Sequence, residues 1–320
     1  MKNVSKLALF VAAGMVSAGV QAATIEIPDG TSMALEGEFL SEYIVSETVD
    51  SSLKDEDNYS DLAGEVTLGL SAVRSFDNFD GYVEVDFIFN TQDNTGSSVD
   101  SDGAVAGLEG SFGKIEIGDS DSVYEDEIHD SVDIWEQASL TNAEVGVDGN
   151  NMITYYSPAA SGLSFNLQAG VQDEAESGNG STDTSFNASA VFDFGAGAIH
   201  AGYNEGVDFL GDSDVVSVAA IFEVGVAEIS LVHEMESLND VDTDYTGVTV
   251  TAGYGPGDIY AGFQSVSPDA AGSEDLSQYA FGINAEIADG LTTYAEYGNL
   301  DGQADGDKDT VIAFGVALAF

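Results

Sequence analysis

The sequence predicts an all-β protein, a sixteen-stranded antiparallel barrel that crosses a membrane. Three observations carry this. Segments of about ten residues alternate apolar with small or polar side chains from Ser32 to Phe320. The connections between them switch regularly between short and long. No run of apolar residues is long enough to span a bilayer as a helix. A strand has a period of two, so alternation gives it two faces of different character. Short and long connections in strict turn are what an up-and-down barrel produces, with tight turns at one rim and loops at the other.

The first element is a leader. Lys2 and Lys6 give it a positive start, and residues 7–20 are apolar over 14 positions, too few to cross a bilayer. Val20-Gln21-Ala22 places small residues where a signal peptidase reads, so cleavage is expected after Ala22. Residues 1–22 are then the signal peptide, and residues 23–320 form one barrel domain that leaves the cytoplasm.

The strands show the alternation plainly. In the last one, Ile312, Phe314, Val316, Leu318 and Phe320 share a face, opposite Val311, Ala313, Gly315, Ala317 and Ala319. Leu163, Phe165 and Leu167 oppose Ser164, Asn166 and Gln168, and Phe186, Phe192 and Phe194 oppose Asn187, Ser189 and Asp193. Tyr279, Phe281 and Ile283 oppose Ala280, Gly282 and Asn284. Short connections are expected at 77–81, 111–113, 158–162, 195–198, 225–226, 255–257 and 288–290. Long ones are expected near 46–62, 92–102, 120–150, 173–182, 205–213, 237–244, 266–276 and 299–309. Seven short and eight long connections join sixteen strands. A soluble β-sandwich also alternates, but it fills its inner faces with large aliphatics. Here the second face is Gly, Ala, Ser, Asn, Gln and Glu, which suits a water-filled lumen. Helix signals are confined to a turn within 124–137.

Charge narrows the function. The chain has 58 acidic residues against 6 basic ones, a net charge of −52, and no cysteine. A nucleic-acid partner is excluded, because phosphate binding needs a basic footprint. No disulfide, thiolate metal site or Cys nucleophile exists. Removal of the leader takes away two lysines and no acid, leaving −54 with Lys54, Arg74, Lys114 and Lys308 as the cations.

No catalytic, metal or cofactor site is expected. His233-Glu234 has no second His to complete a zinc helix, and His129, His200 and His233 read as ordinary strand or loop residues. Asp240, Asp242 and Asp244, and again Asp305, Asp307 and Asp309, echo the start of a calcium loop. Both lack its Gly and its terminal Glu. Such acid-rich loops suit a saline medium, and loosely held divalent cations would bridge them to lipopolysaccharide phosphates.

The signal peptide, the alternation and the terminal Phe320 together resemble the general diffusion porins of Gram-negative outer membranes. Ala106-Gly-Leu-Glu-Gly-Ser-Phe-Gly113 with Ile115-Glu-Ile-Gly118 is similar to the family's fourth and fifth strands. Asn151-Met-Ile-Thr-Tyr-Tyr-Ser-Pro158 with Gly162-Leu-Ser-Phe165 is similar to its sixth and seventh. Phe314, Val316, Leu318 and Phe320 resemble the signal read by the barrel-assembly machinery. The resemblance implies a homotrimer in outer-membrane lipid. It also implies a loop after strand five, here 120–150, that folds inward and narrows the pore.

Family members set acids on that loop against arginines on the wall. The loop half is present in Asp121, Glu125, Asp126, Glu127, Asp130 and Asp133, with Asp119 before them. The wall half is not. Asp119, Thr67 and Tyr156 match positions that are often Arg. Arg74 has lipid-face parity, Lys114 sits beside a turn, and Lys54 and Lys308 lie in outer loops. Lumen parity instead gives Glu36, Glu38, Glu42, Glu84, Asp86, Glu116, Asp193, Glu223, Glu286 and Glu296. The expected function is passive diffusion of ions and small hydrophilic solutes through an acid-lined pore that prefers cations. The alternatives are a substrate-specific channel, with Tyr82, Tyr260 and Tyr294 as the main lumen aromatics, and an adhesive barrel with a closed pore. Trp135 is expected to pack the inward loop against the wall.

Overall fold

The computed structural model describes residues 23–27, 30–50, 55–90, 98–140, 142–143, 151–171, 184–208, 211–238, 241–270, 272–301 and 308–320. The expected leader, residues 1–22, lies outside them.

Sixteen antiparallel strands close into a barrel, and one short strand is added to it. The extra strand is β1 (Ala23–Ile27). The barrel runs through β2 (Thr31–Asp50), β3 (Asp55–Ser75), β4 (Phe79–Asn90), β5 (Ser98–Gly110) and β6 (Gly113–Asp119). It continues through β7 (Met152–Tyr156), β8 (Leu163–Val171), β9 (Thr184–Asp193), β10 (Gly197–Asp208) and β11 (Gly211–Val224). It ends with β12 (Ala227–Leu238), β13 (Val241–Gly253), β14 (Asp258–Pro268), β15 (Leu276–Ala288), β16 (Leu291–Asp301) and β17 (Lys308–Ala319). Each strand pairs with the next, and β17 pairs back onto β2 from Lys308↔Val49 to Ala319↔Glu38, which removes both sheet edges. Phe320 continues the ladder by exchanging backbone hydrogen bonds with Gly37, and β1 pairs with β2 just beyond, at 31–35.

Parity sorts the side chains as the alternation predicts. Leu35, Phe39, Leu163, Phe165, Phe186, Phe281, Phe314, Val316, Leu318 and Phe320 are exposed on the outer surface, where lipid would cover them. Aromatic side chains cluster near the tight turns, where Phe76 stacks on Phe79 at 4.9 Å and Phe194 lies 6.2 Å from Phe222. Phe186, Tyr203, Phe281 and Tyr297 stand toward the other rim, with Phe281 stacked on Tyr297 at 5.0 Å. Two aromatic belts of this kind mark the two interfaces of a membrane barrel. Arg74 is exposed on the outer face near the turn, 5.6 Å above the Phe76 ring.

Three connections expected to be long loops are mostly strand. β2 and β3 pair without interruption from Thr31↔Arg74 to Asp50↔Asp55, so most of 46–62 is hairpin. β10 and β11 pair up to Asp208↔Gly211, and β12 and β13 up to Leu238↔Val241. The physical reason is that backbone pairing needs no apolar side chain. Hydrophobic alternation marks only the stretch that meets lipid, and the ladder continues beyond it through Asp, Ser and Thr. Asp242 and Asp244 accordingly stand exposed on β13, not in a loop. Among the described residues, no group of three or more His, Asp or Glu side chains could hold a metal ion.

Candidate pore constriction

The connection from β6 to β7 turns into the barrel. Its first part holds one π-helical turn, Glu125–His129, closed by the Asp130 amide donating to the Glu125 carbonyl at 3.1 Å. Tyr124, Ile128, Val132 and Trp135 recur at spacings of four, four and three, so they share one side of the loop. That side packs on the wall. Tyr124, Ile128, Val132 and Ala143 are buried with Val215, Ala219, Val232, Tyr245 and Val266. Trp135, Ala138 and Leu140 are buried with Tyr260 and Ala280, and Trp135 lies 5.2 Å from the Tyr260 ring. The loop therefore covers the wall formed by β8 to β16 and touches β2 at Glu42, leaving the rest of β2 and β3 to β6 as the open wall.

Carboxylates hold the loop down. Glu296 accepts hydrogen bonds from the backbone amides of Glu136, Gln137 and Ala138, at 2.9, 2.9 and 3.0 Å. Glu234, fully buried, accepts from the Tyr124 hydroxyl at 2.7 Å and meets His129 Nε2 at 2.9 Å. Glu42 accepts from Gln137 Nε2 at 2.9 Å. From the loop side, Glu127 accepts from Asn166 at 3.0 Å and meets His200 Nδ1 at 3.2 Å. His129 and His200 thus belong to the loop's docking.

Three wall carboxylates share one construction. Tyr82, Gly107 and Glu116 face one another across β4, β5 and β6. Tyr260, Gly282 and Glu296 do so across β14, β15 and β16. Tyr294, Gly315 and Glu42 repeat it across β16, β17 and β2, the closure of the barrel. In each rung the tyrosine ring lies over the glycine, where a Cβ would fall inside the ring. Its hydroxyl then reaches the carboxylate two strands away, at 2.7 Å for Tyr82 and 2.9 Å for Tyr260, with Tyr294 bonded to Glu42 likewise. The three lumen tyrosines are therefore laid flat against the wall with their hydroxyls engaged.

The remaining expected residues fall as follows. Glu36, Glu38, Glu84 and Asp86 face inward on β2 and β4, and Glu36 and Asp86 flank the bare backbone of Gly69. Glu65 joins them on β3, where the Thr67 hydroxyl donates to it at 3.4 Å. Asp121, Glu125, Asp126, Asp130 and Asp133 lie along the loop, none of them fully buried. Asp119 stands apart, since it pairs with Ala104 and takes the register of the outer face. Asp193, Glu223 and Glu286 are exposed near the tight turns. Lys114 is the second residue of β6 and faces inward. Its ammonium lies 2.8 Å from Glu116 and 4.0 Å from the centre of the Tyr156 ring.

Glu65, Glu136 and Glu234 were not among the expected site residues. Parity would have placed Glu65 and Glu234 in the lumen, and the 4-4-3 spacing of the loop's apolar residues would have marked its wall side. Nothing in the sequence identifies the rung partners.

Loop acids are crowded, and this moves their titration. Asp126 is pushed up to about 8 by burial and by Asp130, Asp121, Glu127 and Glu125. Glu136 is likewise pushed up to about 8 by burial and by Glu296, Glu38 and Glu42. Asp130 rises to about 6 by burial and the charges of Asp133 and Asp121. Asp133 rises to about 6 by burial, against the opposing pull of its bonds from Trp135 and Ser139. For His129 burial alone would favour the neutral ring, but the bond to Glu234 wins and its pKa is raised.

The family described as Gram-negative porin matches residues 8–318. The chain belongs to that family. As a porin it is an outer-membrane diffusion channel and not an enzyme. A protein named monosaccharide porin from a Halomonas species is 25% identical over 98% of this chain and 99% of its own length. The major outer membrane protein of Halomonas elongata gives the same figures. Among solved structures, an anion-selective porin from Comamonas acidovorans superposes with a TM-score of 0.73 at 17% identity, covering 91% of this porin and all of that chain. Salmonella typhi OmpF gives 0.73 at 15% identity over 93% of this porin and all of that chain. The trimer form of Vibrio cholerae OmpT gives 0.66 at 15% over 91% of this porin and all of that chain.

Proposed function

We propose that this porin is a general diffusion channel with a cation-preferring, acid-lined pore, working as a homotrimer. Residues 1–22 are its export signal, removed after Ala22. The carrying observation is that acids stand on both sides of the opening. Glu125, Asp126, Asp130 and Asp133 line the loop, and Glu36, Glu38, Glu65, Glu84 and Asp86 face the lumen from the open wall. Of the lysines and arginines among the described side chains, only Lys114 faces the lumen, and it is paired. Unbalanced negative charge in a narrow aqueous path concentrates cations and repels anions. The fold does not determine that sign, since the Comamonas relative of the same shape is anion-selective. The rim acids suit contact with lipopolysaccharide through divalent cations, and Phe314, Val316, Leu318 and Phe320 suit recognition by the assembly machinery. Small neutral sugars fall among the solutes that such a pore passes, which accords with the name of the Halomonas relative.

The test is the reversal potential of the purified protein in a planar bilayer under a potassium chloride gradient. A cation-selective potential that declines as salt rises supports the reading, because screening shortens to about 3 Å at 1 M. A chloride-selective potential overturns it.

A further inference from the structure

The three tyrosine–glycine–glutamate rungs do not hold the same thing. Those ending in Glu296 and Glu42 hold the loop. The rung ending in Glu116 bonds no loop residue among those described and holds a lysine instead. We propose that Glu116 is a positioning residue that keeps Lys114 out of the permeation path, clamped against the Tyr156 face, so that the open wall presents no positive pole. This rests on the cation-preferring pore proposed above.

The geometry is specific. Lys114 and Glu116 are two apart on β6 and both face inward. The Tyr82 hydroxyl and the Lys114 ammonium meet the same oxygen, Oε1 of Glu116, at 2.7 and 2.8 Å. Tyr82 reaches that oxygen only because Gly107 leaves its path clear. The Tyr156 ring supplies the second wall of the clamp, 4.0 Å from the ammonium. Side-chain exposure is 6% for Glu116 and 26% for Lys114, so the anchor is buried and the lysine lies at the lumen surface. A lysine stem is flexible and its ammonium prefers water, so it keeps its place only while something holds it. Asp126 and Glu127 of the loop act electrostatically on Tyr156, and Glu127 is bonded to Asn166, the cross-strand partner of Tyr156. A lysine released from Glu116 would bring its charge into the lumen beside these acids.

The consequence is an asymmetry between the two partners of one ion pair. If both were independent lumen charges, Glu116→Gln and Lys114→Met would shift selectivity equally in opposite directions. A clamp predicts otherwise. Glu116→Gln removes a buried charge and also frees a cation into the path. The cation-to-anion permeability ratio should fall about five- to ten-fold, because one unit charge ~7 Å from a passing ion in water disfavours the cation and favours the anion by a factor of about two to three each. Lys114→Met should move it far less. In the Lys114→Met background, adding Glu116→Gln should do little.

The experiment is a double-mutant cycle on the full-length porin, with heat-modifiable migration as the check of folding. Reversal potentials are recorded at low salt for the wild type, the two single variants and the double. In parallel, a membrane-impermeant amine-reactive ester is applied, and modification of Lys114 is followed by mass spectrometry. The expected result is a large Glu116→Gln effect only when Lys114 is present, and several-fold faster acylation of Lys114 in Glu116→Gln than in the wild type. If Glu116→Gln does not fold, Tyr82→Phe loosens the same oxygen and should give a smaller acceleration. Equal and opposite single-variant shifts, or acylation rates that do not differ, would overturn the clamp. A wild type that prefers chloride would instead overturn the cation-preferring reading, and the acylation contrast would still decide the clamp.

Discussion

The two sides of the lumen use the same residue for different ends. On the covered side, inward glutamates such as Glu234 and Glu296 are buried and spend their oxygens on the loop. On the open side, Glu36, Glu38, Glu84 and Asp86 face inward and are only half-buried. The difference teaches that parity tells where an acid points and its neighbours tell what it does. An acid under the loop is a fastener whose loss costs structure. An acid on the open wall is, under the proposed function, a charge whose loss costs selectivity.

The comparison breaks most visibly at Glu296. Glu296→Ala strands three loop amides and the Tyr260 hydroxyl. Each buried donor left unpaired costs about 1–3 kcal/mol, so the loop should leave the wall. Flickering single-channel currents and new proteolytic cuts within 120–143 would show it, and a quiet, protected channel would refute the fastening role. Next in size is Gly282→Ala. The added methyl must displace the Tyr260 ring, at about 1–3 kcal/mol for an overpacked site. The temperature at which the folded form disappears on gels should fall, whereas substitution by Asn of the exposed turn residue Gly225, at φ +71° with open space around it, should leave it nearly unchanged.

A third and gentler lever is pH. Asp126 and Glu136 titrate near 8 and Asp130 and Asp133 near 6, all above their ordinary values. They gain charge as pH rises through that window, so cation preference should climb from pH 5 to pH 9. The docked loop binds more protons than a free one between the ordinary carboxylate range and 8. Its docking is therefore most favoured below that range, weakens as pH rises through it, and loses nothing further from these acids once they are ionised above 8. Reversal potentials and loop proteolysis measured over that range should move together, and a flat profile would count against the crowded loop. The smallest structural effect is expected on the open wall. Glu38→Gln with Asp86→Asn should change stability by less than about 0.5 kcal/mol each while lowering cation preference, measured as a reversal potential.

Much of this was legible in the chain. Ile312, Phe314, Val316 and Leu318 announce an outer face, and the inward positions of Glu42, Glu116 and Glu296 follow from period two alone. What escaped was everything that depends on strands far apart in sequence. Glu42 and Tyr294 are separated by 252 residues and meet only because β17 closes onto β2. The hairpins beyond lipid at 46–62, 205–213 and 237–244 escaped for another reason, since ladder bonds leave no hydrophobic trace. The sequence by itself determined the all-β architecture and the facing of most strand side chains, because these follow from local periodicity. Only the tertiary structure decided which acids fasten the loop and which face the open lumen. That depends on the register between neighbouring strands and on where the loop comes to rest, and both are set by packing across the closed barrel.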